Sequence, residues 1–117
     1  MTIPSETSGK TLIARPTGRI DYNASAAFQA DLEAAVAQAK AGGLGLVVNC
    51  TGIDYISSAG LRAFLVAARS AKSAQVGLAL CGVNPNVKEV FDVSGLTKLM
   101  ALVGTEAEAV AKVAAPG

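Results

Sequence analysis

Apolar residues fall into short continuous runs and helical repeats that alternate from one end of the chain to the other. Residues 11–16 read as a strand, and Pro16, with no N–H to give to a ladder, places it at a sheet edge. Residues 18–21 add a short second strand. Asn23 then caps a helix in which Phe28, Leu32, Ala35, Val36 and Ala39 recur at helical spacing, and Gly42-Gly43 stops it. Residues 44–50 read as an apolar run broken by Gly45, as suits a central strand buried on both faces. A polar loop over 51–57 follows. From 58 to about 72, Leu61, Leu65 and Ala68 mark one face of a helix, widened by Phe64, with Arg62, Arg69 and Lys72 on the other side. Residues 76–81 are another buried strand. Asn84-Pro85 supplies an N-cap with proline at the first helical position, opening a helix through Val87, Val90 and Phe91 that Ser94-Gly95 ends. Residues 99–103 read as a last strand. Thr105-Glu106-Ala107-Glu108 has the spacing of a capping box and begins a terminal helix.

Alternating strands and helices predict an α/β domain: a mostly parallel mixed β-sheet with an antiparallel N-terminal edge strand and about four helices packed on it. The division expected is a flexible polar segment over residues 1–10 and one domain over 11–117, which is near the usual size of a single domain. In sheets of this kind the loops leaving the carboxyl ends of the strands form the functional rim, and the loop from Cys50 to Ser58 is one of them. Gly43-Leu44-Gly45 is no dinucleotide fingerprint, because it precedes a strand and lacks the third glycine before a helix.

Composition narrows the chemistry. The chain is 51% hydrophobic and 16% charged, with a formal net charge of +1, so no electrostatic footprint for nucleic acid or an anionic membrane surface is present. Histidine is absent, which removes the usual general base near neutral pH, the histidine-dependent triads and the commonest zinc ligand. An enzyme is not expected, nor a cofactor or metal. The polar start and the lack of any run of eighteen apolar residues predict a cytoplasmic protein without membrane insertion. Cys50 and Cys81 each end a predicted strand and read as structural thiols.

The segment Asp54-Tyr55-Ile56-Ser57-Ser58-Ala59-Gly60-Leu61 leads from strand to helix with two hydroxyls at the helix start. Capping alone accounts for such serines, since a hydroxyl oxygen there accepts from an otherwise unsatisfied backbone N–H. The same position also suits a phosphate, whose charge of about −1.5 to −2 would sit beside the positive end of the helix dipole. Local physics leaves both readings open.

Three segments, Gly18-Arg19-Ile20-Asp21, Tyr55-Ile56-Ser57-Ser58-Ala59-Gly60-Leu61 and the run from Val83-Asn84-Pro85 through Val93-Ser94-Gly95-Leu96, together resemble the STAS domain of anti-sigma factor antagonists in order and spacing. The resemblance implies a regulatory module in which the serine two positions before the motif glycine, here Ser58, is phosphorylated by a partner kinase. Ser57 is the alternative acceptor. Family members often carry aspartate where Ser57 stands, and serine or threonine where Ala59 stands. The implied partner surface comprises Asp21, Asp54, Ser57, Ser58, Gly60, Leu61 and Arg62. Asp21 has a competing role as a turn or cap residue, and Arg62, four residues beyond Ser58, would either steady a phosphoserine, touch a partner's acidic surface or remain solvated. Leu61, Phe64, Phe91 and Leu96 read as core or partner-facing.

On this resemblance the unphosphorylated protein binds an anti-sigma factor that is also a serine kinase, freeing a sigma factor, and a serine phosphatase restores the bound state. The protein acts as a monomer or weak dimer and is a substrate, not a catalyst. The alternative implied by the same domain is a STAS subunit of a lipid-transport ABC complex.

Overall fold

The computed structural model describes residues 3–95 and 100–114. Among these residues seven strands and four helices occur in the order β1 (Ser5–Ser8), β2 (Thr11–Ala14), β3 (Gly18–Ile20), α1 (Tyr22–Gly42), β4 (Gly45–Asn49), β5 (Ile53–Ile56), α2 (Ser58–Ala74), β6 (Leu78–Cys81), α3 (Pro85–Ser94), β7 (Ala101–Val103) and α4 (Glu106–Ala114). Five strands form the main sheet in the order β1-β2-β4-β6-β7, with β1 antiparallel to β2 and every other pair parallel. Strands β3 and β5 make a separate parallel pair.

Alternation along the central strands sorts the core into two layers. Leu12, Leu46, Val48 and Leu80 face α1, α2 and α3, where Phe28, Leu32, Phe64 and Phe91 are buried. Ile13, Val47, Ala79 and Cys81 face the other way, onto Ala109, Val110 and Val113 of α4. That helix comes close at Gly45, where a Cβ would lie 2.8 Å from the Val113 side chain. Phe64 stands between Phe28 and Phe91 in edge-to-face contacts with ring centroids 5.1 and 5.5 Å away, tying α1, α2 and α3 together.

The mixed, mostly parallel sheet, its antiparallel N-terminal edge strand and the four helices are as the alternation predicts. Details differ. The antiparallel edge strand is β1, inside the segment expected to be a flexible tail. Residues 11–14, expected at the edge, are interior and wholly buried. Pro16 follows β2 and so withholds no ladder hydrogen bond from it. Helix α1 is capped two residues before Asn23, because the Asp21 carboxylate accepts from the Ala24 N–H at 3.0 Å. On α2 the buried face is Gly60, Ala63, Phe64, Ala67, Ala68 and Ala71, whereas Leu61 and Leu65 are half-buried at its margin. The face is rotated from the leucines toward the alanines because small side chains let α2 settle closely against its neighbours.

Helix ends follow the sequence closely elsewhere. Asn84 Oδ1 accepts from Val87 N at 2.9 Å with Pro85 at the first position of α3, and Gly95 closes that helix in the left-handed region. Thr105 Oγ1 accepts from Glu108 N at 3.2 Å, the N-cap half of a capping box, and the Thr105 hydroxyl donates to the Glu108 carboxylate at 3.1 Å. Of the last predicted strand, 101–103 is observed, while Leu99 and the partner-facing candidate Leu96 lie outside the described residues. Cys50, just past the end of β4, and Cys81, the last residue of β6, are free and buried, and they pack into different clusters of the core. Burial is the main cause that raises both thiol pKa values, keeping them protonated.

Candidate functional site around the start of helix α2

The β3–β5 pair is the platform on which the motif serines stand. At its entrance Gly18 N donates to Gly52 O at 2.8 Å, joining the segments that lead into β3 and β5. Gly18 pairs with Ile53, Arg19 with Tyr55 and Ile20 with Ile56, so one residue of β5, Asp54, is bulged out. The bulge puts both Asp54 and Tyr55 on the exposed side while Ile53 stays in the core. Arg19 lies over the Tyr55 ring, its guanidinium carbon 4.5 Å from the ring centroid.

Because Ile20 and Ile56 are in register on parallel strands, the residues that follow them start two helices side by side. Asp21 caps α1 and Ser57 caps α2, its Oγ accepting from Gly60 N at 3.1 Å. Ser57 N donates to Ile20 O at 2.8 Å, which stitches the start of α2 to the end of β3. Gly60 completes the fit. A Cβ at this position would lie 2.8 Å from both Ile20 Cγ2 and Ile56 Cγ1, and 3.1 Å from Ile20 O, so only glycine lets α2 start this close to the platform.

The seven residues expected on a partner surface therefore divide. Asp54, Ser58 and Arg62 are exposed; Asp21, Ser57 and Leu61 are half-buried; Gly60 is buried and faces the platform. Asp21 and Ser57 are the caps of the two helices. Ser58 is the first residue of α2, and within the described residues its hydroxyl makes no hydrogen bond. Tyr22, exposed at 79%, and Tyr55 at 42% add aromatic surface at the same end of the platform, a feature not anticipated from the sequence. Strand β5 was also unanticipated; the tyrosine and isoleucines of Ile53-Asp54-Tyr55-Ile56 were its only signal.

A second polar cluster lies at the carboxyl ends of β2 and β4. Arg15 donates two hydrogen bonds to Glu106, each 3.0 Å, and its guanidinium also pairs with Glu6 at 2.6 Å. Asn49 Nδ2 donates to Glu106 at 3.0 Å while its Oδ1 accepts from Thr51. The Glu106 carboxyl is held below its usual pKa first by the Arg15 hydrogen bonds and then by Asn49, and the Arg15 pKa is raised, chiefly by Glu106. This is a clamp fastening α4 to the sheet. Beyond it, Gly82, Val83, Lys88, Leu102, Val103 and Gly104 line a cleft of about 250 Å³ that does not include the serine motif.

The STAS domain profile matches residues 2–109. The chain belongs to the STAS domain family. Over 89 residues, 76% of each chain, it is 38% identical to BtrV of Bordetella bronchiseptica, which carries the name anti-sigma factor antagonist. A Thermotoga maritima protein named for the same role superposes with a TM-score of 0.85 at 17% identity, covering 97% of this chain and 95% of the other. SpoIIAA, an anti-sigma factor antagonist, in its unphosphorylated form gives 0.71 at 20% identity, covering 98% of this chain and all of the other. The Bacillus SpoIIAA structure in the phosphorylated form gives 0.69 at 24% identity, covering 96% and 99%. These likenesses establish the STAS fold, and the named relatives are regulatory proteins. Among the described residues of this STAS domain no helix is long and apolar enough to cross a membrane.

Proposed function

We propose that this STAS domain protein is an anti-sigma factor antagonist switched by phosphorylation of Ser58. Unphosphorylated, it binds an anti-sigma factor that is also a serine kinase and thereby frees a sigma factor. Phosphate on Ser58 ends that contact, and a serine phosphatase restores it. The domain is the substrate of both reactions and contributes no catalytic group.

The observation that carries this reading is the division of labour between adjacent serines. Ser57 Oγ is engaged by the Gly60 N–H, whereas Ser58 Oγ is exposed and unengaged at the first position of α2. A kinase needs a hydroxyl it can reach, so Ser58 is the acceptor and Ser57 the cap. The 38% identity to a relative named anti-sigma factor antagonist supports the regulatory half of the reading. A phosphate at Ser58 would be favoured by the α2 dipole and so leave the fold intact, while placing about two negative charges on a contact surface.

The test is intact-mass and peptide mass spectrometry after incubation with the host's anti-sigma factor kinase and ATP, with kinase binding measured alongside. One phosphate on Ser58, missing from Ser58→Ala and abolishing kinase binding, is the expected result. A protein that stays unmodified yet binds constitutively would refute the switch.

A further inference from the structure

Helix α2 carries its charges in one line. Taking 100° per residue, Ser58, Arg62 and Arg69 fall within about 40° of one another, and Lys72 lies about 40° to the other side of Ser58. The line points directly away from the buried Ala63, Ala67 and Ala71, and Arg62, Arg69 and Lys72 are all exposed. From Ser58 to Lys72 it extends about 21 Å at the rise of an α-helix. Helix α2 has no acidic residue. The chain as a whole is +1 and α2 alone is +3, so the rest of the molecule carries −2. Among the described residues the ion pairs are those of Arg15 with Glu6 and Glu106, which leaves these three cations without a carboxylate partner.

We infer that this stripe is a docking surface for an acidic face of the partner protein, and that Ser58 phosphorylation acts on it by charge. The inference rests on the proposed switch and adds the chemistry of the contact. Three aligned cations on a rigid helix complement an acidic surface and would steer its approach. Ser58 heads the stripe, one helical turn before Arg62. A phosphate of about −1.5 to −2 there would draw on Arg62 and reduce the stripe from +3 to about +1, weakening attraction for an acidic partner. The small net charge of the whole molecule disfavours nucleic acid or a membrane as the occupant.

The experiment measures association of the full chain with the purified kinase, in its unphosphorylated complex, at about 0.1 M and about 1 M salt. It compares wild type with Ser58→Ala, R69E/K72E, the neutral pair R69Q/K72Q, and K10E/K112E, which makes the same net change on other surfaces. Glu and Gln match Arg and Lys as helix formers, and circular dichroism verifies that each variant is folded. Expected is a loss of about tenfold in association rate for R69E/K72E, a smaller loss for R69Q/K72Q, and a wild-type rate that falls with salt. The control pair should stay near wild type. Equal rates for R69E/K72E and wild type, with Ser58→Ala still binding, would overturn the stripe and leave the switch standing. A kinase that binds none of the proteins would remove both. Vesicles of phosphatidylcholine with and without phosphatidylserine complete the test: binding to the anionic vesicles alone, abolished in R69E/K72E, would make the stripe a lipid surface and overturn the inference.

Discussion

Ser57 and Ser58 are chemically identical neighbours whose surroundings give them different tasks. Removing the Ser57 hydroxyl leaves Gly60 N without its acceptor, so Ser57→Ala should cost about 1 kcal/mol in urea unfolding. Ser58→Ala removes an exposed, unengaged group and should stay within about 0.5 kcal/mol of wild type. Equal losses in the two variants would show that the capping assignment is wrong. Gly60 poses the opposite problem, because two effects compete there. Gly→Ala inside a helix gains up to about 1 kcal/mol, but the new methyl would press on Ile20 and Ile56 at 2.8 Å, and overpacking costs about 1–3 kcal/mol. The contact with the Ile20 carbonyl at 3.1 Å is backbone and cannot rotate aside, so strain wins. Gly60→Ala should be net destabilising, with a lower urea midpoint; a stabilised variant would mean the platform yields more easily than its geometry implies.

Elements were legible in the sequence where burial and period agreed. The buried centre of β4, Leu46-Val47-Val48, and all of β6 are apolar because both faces are covered, and the caps Asn84 and Thr105 stand directly before the helices they open. The misses have physical causes. Strand β1 is exposed at all four positions, so no hydrophobic pattern marks it; its evidence is pairing with β2, which only tertiary structure supplies. Strand β5 lost its alternation to the bulge at Asp54, which turns two consecutive side chains outward. The motif serines were legible from the sequence pattern, but which one caps depends on where α2 begins, a matter of one residue. The clamp on α4 joins positions 15, 49 and 106, and no local pattern links them. It can be tested by pH. Since the folded Glu106 pKa is depressed, its stabilising effect is present above the unfolded value, about 4.3, and is lost as pH falls through the folded value. Glu106→Gln should therefore be less stable than wild type at pH 7, with the difference shrinking in acid. Superimposable stability profiles from pH 7 to pH 3 would show that the pairing contributes nothing.

At the scale of the molecule, the surface assigned to the proposed switch and the core beneath it are separate parts of one helix. The outward side of α2 bears Ser58 and the cations; the inward side bears Phe64, fully buried between Phe28 and Phe91. Charge can change on the outside without disturbing packing within, which is what a reversible modification requires. The converse is also testable. Truncating Phe64 removes the ring shared by both aromatic contacts and opens a cavity among α1, α2 and α3, at a cost of about 3–5 kcal/mol. A domain of this size has about 5–15 kcal/mol in total. Phe64→Ala should consequently shift the urea midpoint far down, or unfold the protein outright. Phe64→Leu keeps most of the volume and should cost about 1–2 kcal/mol with an unchanged m-value, so it remains measurable if the alanine variant does not fold. In that leucine variant the Ser58 hydroxyl is still presented at the start of α2, and phosphorylation by the proposed kinase should proceed at nearly the wild-type rate. A large loss of phosphorylation in a folded Phe64→Leu protein would show that the switch reads the core as well as the surface.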